Sequence, residues 1–404
     1  MSISQLAKSI PASPTLALND TARILKEKGE AVIHLGGGEP KSKAPIDAIL
    51  SASAKLNSAE IKYTPTAGIL PLRKAVVRYT EENYDHLISA KNIIVSNGAK
   101  QSLSVLLQSI VDPQDEVIVL APYWVSYPEM IKMAYGKPVV VTPEDGRLEP
   151  TMDDITQAVG SYTKAIIVNS PSNPSGAIYS KGLIEALVKY CEKKDIYLIM
   201  DDIYHKLVFD GESWTSPYQF AKANEAKSKL VIVNGVSKAY AMTGFRVGWT
   251  IANPTLIDAM VNIQAQSTSC VSGLTQAAAV GALNGIQNGV ESLRITLQNN
   301  RDIMINELRT IEGVKVEKPG GTFYCFPDFS AYEKSSAKLS QLLLEKVRVV
   351  TVPGNEFGMD GYLRLSYCGG IKDIKEGVER IKWALDPKAP NEIFIGDRKM
   401  VRDW

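Results

Sequence analysis

The sequence predicts an α/β protein whose mostly parallel sheet is covered by helices on both faces. Three observations carry that expectation. From Asn92 onward, short apolar runs alternate with amphipathic helical stretches, the pattern of strands buried on both sides. Five of the runs end directly in clusters of unusual chemistry, and the carboxyl edge of an open α/β sheet is where ligands bind. At 404 residues the chain is long enough for two domains or one large one.

Residues 1 to about 30 read as an arm followed by a helix, with Pro11 and Pro14 ahead of an amphipathic run from Leu16 to Leu25. A short strand, Ala31 to Leu35, leads into Gly36-Gly37-Gly38-Glu39-Pro40. Three successive glycines permit positive φ and close approach of backbone to a ligand; a plain flexible turn fits them as well. Tyr63-Thr64-Pro65 precedes a helix from Leu70 to Tyr84, with Leu72, Val76 and Tyr79 at helical spacing. Ile93 to Val95 is a strand, and Ser96-Asn97-Gly98 turns into a helix beginning near Ala99. Val117 to Leu120 ends in Ala121-Pro122-Tyr123-Trp124, and Ala165 to Val168 ends in Asn169-Ser170-Pro171-Ser172-Asn173-Pro174. The helix from Leu183 to Cys191 shows its apolar face as Leu183, Ile184, Leu187, Val188 and Cys191. Ile196 to Met200 is a strand ending in Asp201-Asp202-Ile203-Tyr204. Leu230 to Val233 is another, closed by a turn at Asn234-Gly235. Further on come a long helix to Leu308, polar on one face, and short strands around Val314, Phe323 and Val349. Leu363 to Tyr367 alternates like a half-buried strand, and a last helix spans Ile374 to Leu385. Lys388 to Trp404 has no clear periodicity and is expected to pack loosely or to contact another chain.

Composition excludes several classes of function. With 45% apolar and 22% charged residues the chain reads as an ordinary soluble globular protein. A formal net charge of +1 gives no argument for nucleic acid or an anionic membrane as partner. The four cysteines, Cys191, Cys270, Cys325 and Cys368, are far apart and form no CxxC pair, so they read as buried small hydrophobes of a reducing compartment. No signal peptide and no run of membrane-spanning length is found, which makes the cytoplasm the expected location.

The stretch Asn234 to Trp249 carries the chemistry. Lys238 sits among Val236, Ala239, Ala241 and Met242, company that lowers a lysine's pKa and frees its amine for covalent carbonyl chemistry. Arg246 supplies a permanent cation suited to phosphate. Together they point to a phosphorylated aldehyde, pyridoxal 5′-phosphate (PLP), although alone the stretch also fits a surface lysine and an ion-paired arginine. Gly98-Ala99-Lys100 lies at a strand-to-helix turn that favours an anion, and Lys100 opposes the helix dipole unless an anion is near. Asp201 ends an apolar strand and needs a cation, such as a pyridinium nitrogen, unless it caps a following helix. Tyr204 is within reach of a ring oxygen, Trp124 can stack on a ring or pack in the core, and Asn173 suits a proline-rich turn in any case. Arg364 faces opposite to Leu363 and Leu365 and suits a substrate carboxylate or a structural ion pair.

With these residues assembled, the chain resembles the class I aminotransferases of PLP fold type I, and among them the bacterial aspartate and prephenate aminotransferases. SKAYAMTGFRVGW, NSPSNPSG, SNGAKQ, APYWVSYPEM, DDIYHKL and LRLSY carry the resemblance in order, over about Ser13 to Trp383. It implies a large PLP-binding domain over 46–289, a smaller α+β domain from 1–45 and 290–387 with an N-terminal arm, and a tail at 388–404. It implies Lys238 as the lysine that carries PLP, Ser237, Arg246, Gly98, Ala99 and Lys100 around the phosphate, and Asp201 at the pyridine nitrogen. Tyr204 and Asn173 match donors to the ring oxygen and Trp124 the stacking position. Tyr63 matches a tyrosine that reaches the neighbouring subunit's phosphate, which implies an obligatory homodimer. Gly38 and Arg364 match the substrate-carboxylate site, and Lys100 and Thr15 match contacts to a distal carboxylate. The implied activity is ping-pong transamination between aspartate or glutamate and a 2-oxo acid. Pro11 stands where prephenate-using relatives tend to carry a basic residue. Gly235 replaces a second serine, and Lys41-Ser42-Lys43 replaces an acidic-aromatic loop. A PLP-dependent β-lyase is one rival reading. A ligand-sensing domain of a transcription regulator is another, but it needs a DNA-binding module for which the arm is too short.

Overall fold

The computed structural model describes residues 2–12, 14–221, 228–395 and 398–402; the side chains of 14–16 and 398 also lie outside that description. The chain opens with α1 (Gln5–Ser9), capped by the Ser4 hydroxyl, and α2 (Pro14–Glu27), where proline suits the first turn. β1 (Ile33–His34) follows, then α3 (Ile46–Asn57) and α4 (Leu70–Tyr84), the last with the expected bounds and with Leu72, Val76 and Tyr79 buried. The sequence did not announce α3, for a physical reason. Its large apolar side chains Ile46, Ile49, Leu50 and Leu56 are exposed, and Ala48 is the residue it buries.

The sheet is then built in order from β2 (Ile93–Ser96), α5 (Ala99–Ile110), β3 (Glu116–Leu120), α6 (Tyr127–Met133), β4 (Lys137–Val141), α7 (Met152–Ala158), β5 (Thr163–Val168), α8 (Lys181–Lys194), β6 (Tyr197–Asp201), β7 (Leu230–Gly235) and β8 (Gly248–Ile251). Its spatial order is β2-β8-β7-β6-β5-β3-β4, with β8 antiparallel to both neighbours and all other pairs parallel. Side chains alternate between two cores. Val117, Val119, Ile167 and Ile199 face one layer, and Ile118, Leu120, Ile166 and Leu198 face the other. Burial on both faces is why these strands read as continuous apolar runs.

The chain continues through α9 (Pro254–Ser267), α10 (Gly273–Asn284) and α11 (Asn288–Leu308) to β9 (Tyr324–Cys325), α12 (Ser336–Val347), β10 (Val349–Val350), β11 (Val352–Pro353), β12 (Leu363–Ser366) and α13 (Ile371–Leu385). β1 pairs in parallel with β10, so the two chain ends meet, and Ile33 and Leu35 join a core with Leu297, Phe323, Leu343, Leu365 and Ile381.

Several expectations need correction. β12 is buried along its whole length, Arg364 included, and is not half-buried. No strand forms at Val314, where a single bridge joins Lys315 to Asp328. The tail forms a hairpin, β13 (Glu392–Ile395) with β14 (Arg398–Val401), whose Ile395 packs into the core while Phe394 faces out. Gly36, Gly37 and Gly38 all have φ outside the left-handed region. All four cysteines are free, but Cys270 and Cys368 are only partly buried. Among the described residues no helix is long and apolar enough to cross a membrane, and no cluster suits a metal.

Candidate active site

β6 occupies the middle of the sheet, and its carboxyl end carries Asp201. The side chain is buried, so it is not a helix cap exposed at a turn. Oδ2 accepts a 2.6 Å hydrogen bond from the Tyr127 hydroxyl of α6, and Oδ1 has no partner among the described residues. Burial pushes the carboxyl up to about 6, against the pull of the Tyr127 hydrogen bond. Asn169, at the end of β5, donates to the Asp201 carbonyl (2.7 Å) and accepts from the Asn173 amide (2.8 Å). The proline-rich turn is thereby pinned to the end of β6.

Asn173 Oδ1 in turn accepts from Arg364 Nη1 at 3.0 Å, and Arg364 Nη2 donates to the Gly36 carbonyl at 3.0 Å. The guanidinium lies 4.3 Å from the Tyr324 ring centroid, and its Nε has no partner among the described residues. Among the described residues no carboxylate pairs with Arg364, so the ion-pair alternative falls away and a buried cation remains beside the site.

β7 and β8 form a hairpin whose long loop holds Ser237, Lys238 and Arg246. Val236, Ala239 and Met242 are buried and enclose the base of Lys238. Its Nζ donates to the Gly38 carbonyl at 2.8 Å and lies 5.9 and 5.7 Å from the ring centroids of Tyr204 and Phe323. Lost hydration, and then the Arg364 cation, lower the amine to about 8. Tyr204 is buried with its hydroxyl toward Tyr324, and burial holds it well above the usual phenol range.

Gly98 precedes α5 with φ +82°, and a Cβ there would lie 2.5 Å from Arg246 Nη2. Glycine therefore lets the arginine fold over the helix start, where free N–H groups point outward. Lys100 Nζ lies 4.9 Å from the Trp124 ring centroid, and partial burial and Arg246 push its pKa down. No carboxylate pairs with it among the described residues. Two cations at a helix N-terminus make an anion cradle.

Lys238, Ser237, Asp201, Tyr204, Asn173, Arg364, Gly38, Trp124, Gly98, Ala99, Lys100 and Arg246 thus converge on one edge of the sheet. Tyr63 does not. It is 91% exposed and turned away from its own chain. The Thr15 side chain lies outside the described residues. Tyr127, Asn169 and Tyr324 were not anticipated as site residues.

A model of the aminotransferase class I and II family matches residues 30–381. The chain belongs to this family. It is an enzyme, a transaminase, and its relatives cover it almost end to end. The aspartate aminotransferase of Bacillus subtilis is 36% identical over 95% of this chain and 98% of its own length. The probable aspartate/prephenate aminotransferase of Aquifex aeolicus is 38% identical over 93% of this chain and 96% of its own. The Thermus thermophilus aspartate aminotransferase structure with maleate superposes with a TM-score of 0.90 at 35% identity, over 95% of this chain and 100% of that one.

Proposed function

We propose that this transaminase carries pyridoxal 5′-phosphate on Lys238 and moves an amino group between aspartate or glutamate and a 2-oxo acid by a ping-pong mechanism. The observation that supports the cofactor best is the unpartnered, buried Oδ1 of Asp201 in the same site as the Lys238 amine. A buried carboxylate oxygen without a partner calls for a cationic donor, and a pyridinium N–H is one. In this reading Gly98, Ala99, Lys100, Ser237 and Arg246 hold the phosphate, and Trp124 covers a ring face. Asn173 has its Oδ1 taken by Arg364, so its amide N–H serves the ring oxygen together with Tyr204. When bound, the cofactor supplies an electron-withdrawing ring that accepts the charge left at the substrate Cα. Lys238, held at about 8, both takes and returns a proton near neutral pH. Gly38 and Arg364 take the α-carboxylate.

The names of the relatives support an acidic substrate, as does Lys100, a cation without a carboxylate partner among the described residues; Thr15 is proposed to assist it. Prephenate ranks second, favoured by the name of the Aquifex relative. Against it, Pro11 lines the cavity of about 650 Å³ beside Lys100 and brings no charge to that wall. We further propose a cytoplasmic homodimer completed by Tyr63 of each chain, with the large domain over 46–289 and the small one over 1–45 and 290–387. The test is a panel of amino donors against 2-oxoglutarate, run with Lys100→Ala. The variant is expected to weaken use of aspartate and glutamate at least tenfold more than use of alanine, about 1.4 kcal/mol of selective binding. Equal losses for both donor types would leave Lys100 with the phosphate or the fold alone and remove it from the substrate site.

A further inference from the structure

We infer that Tyr127 is a positioning residue that fixes the single negative charge of the neighbouring carboxyls Asp201 and Asp202 on Asp201. What that charge faces rests on the cofactor reading above; where the charge sits is a property of the protein alone.

The last residue of β6, Asp201, and the one after it, Asp202, carry two consecutive carboxyl groups into the interior, 4% and 0% exposed. Two such groups do not both ionise without heavy cost, since burial and mutual repulsion act together. Donors decide which one keeps the charge. Toward Asp201 come the Tyr127 hydroxyl from α6, at 2.6 Å, the Ile203 amide, which stops short of hydrogen-bond geometry, and the Lys238 cation from the β7–β8 loop. Toward Asp202 come Tyr79 and Tyr84 from α4, and Tyr218. None of these is a cation. The Tyr84 hydroxyl accepts from Asn234 Nδ2 at 2.8 Å and faces Asp202 short of hydrogen-bond geometry, so neither Asp202 oxygen has a partner. His205, in the same layer, brings no charge. Its Nδ1 lies 2.8 Å from the Asp202 carbonyl oxygen and 3.1 Å from Asn234 Nδ2, its Nε2 lies 3.0 Å from the Tyr79 hydroxyl, and burial holds it down at about 3. Asp202 therefore stays a neutral acid, and burial with the Asp201 charge drives its pKa well up.

Asp201, at about 6, is poised so that the one hydrogen bond matters. Loss of the Tyr127 hydroxyl raises its protonation range by about one to two pH units. A protonated Asp201 forms no ion pair with a pyridinium, so the loss of cofactor affinity sets in as pH falls from about 8 to 6 and is absent in more alkaline solution.

The experiment is a pH titration of aspartate side-chain carboxyls by ¹³C NMR on the apoprotein, for the native chain, Tyr127→Phe and Asp202→Asn. PLP binding is followed in parallel by fluorescence at low and high pH. The native chain is expected to show one buried carboxyl ionising near 6 and another still protonated under alkaline conditions. Tyr127→Phe moves the first upward by about one to two pH units and costs roughly tenfold in PLP affinity on the acid side only. Asp202→Asn deletes the protonated signal and leaves the first titration in place. An ionised Asp202 at neutral pH in the native chain, or an unmoved Asp201 in Tyr127→Phe, overturns the proposal. Should Tyr127→Phe not fold, the native and Asp202→Asn titrations still decide where the charge sits, and an ionised Asp202 overturns the proposal. Carboxyl shifts as stated with PLP affinity unchanged would keep the charge placement and refute the cofactor reading.

Discussion

Lys238 is made reactive by its surroundings, because two aromatic rings and one carbonyl replace most of its water and Arg364 adds a like charge. An amine at about 8 gains its neutral form as pH rises through 8, where a free lysine gains it near 10.4. Attachment of PLP to the apoprotein should therefore accelerate through pH 8 and level off above it, as read by absorbance. Borohydride reduction and peptide mapping should label Lys238; a label on another lysine, or a rate that climbs only in strong alkali, would remove the assignment. Lys238→Ala should keep bound PLP and lose turnover. Asp201 is the second decisive residue. Asp201→Ala leaves a pyridinium without its carboxylate, so turnover should fall by roughly two to three orders of magnitude. Near-normal turnover would mean that Asp202 faces the ring. The replacement of a second serine by Gly235 has a steric reason, since a Cβ there would lie 2.8 Å from the Val247 carbonyl across the hairpin. In the proposed function, phosphate binding then relies more on Ser237 and Arg246.

The hairpin of β7 and β8 is also what presses the anion cradle into place. A Cβ on Gly248 would lie 2.4 Å from the Ala99 amide and 2.6 Å from the Gly98 carbonyl carbon, so β8 touches the start of α5 backbone to backbone. Gly248→Ala should destabilise the protein by about 1–3 kcal/mol in urea unfolding and weaken PLP binding along with it. Gly289→Ala, in α11 with open space around it, should be neutral or slightly stabilising. Equal effects from the two changes would contradict the close approach. Elements such as this one explain what the sequence hides. β3, β5, β6 and β7 are legible because both faces are buried, and so are Lys238, Asp201 and Asn173, which stand just past strand ends. β8 is four residues, the first two still inside the lysine motif, and nothing local says that it turns back between β2 and β7. The tail hairpin buries one side and wets the other over too few residues to show a period. Tyr127 meets Asp201 across 74 positions, and Asn169 meets the same residue across 32, distances at which spacing carries no information.

The stretch from α3 to the start of α4 carries large apolar side chains that the chain itself leaves exposed. Tyr63 is 91% exposed, and Ile46, Ile49, Leu50, Leu56, Ile61 and Leu70 around α3 and the start of α4 are exposed too. Scattered apolar residues need no explanation, but this many in one stretch of chain, next to a tyrosine of matching family position, fits a surface covered by a second copy. If Tyr63 completes the partner's phosphate pocket, each site needs Lys238 from one chain and Tyr63 from the other. Tyr63→Ala and Lys238→Ala are then each impaired as pure dimers, the first in cofactor affinity and the second in chemistry. Mixing the two and allowing subunits to exchange creates hybrids with one site that has both native residues and one that has neither. Random exchange of equal amounts makes half the dimers hybrid, so about a quarter of native activity should return. Native mass spectrometry reports whether hybrids formed. Hybrids without recovered activity would place Tyr63 outside the partner's site, and the exposed face would then need another occupant.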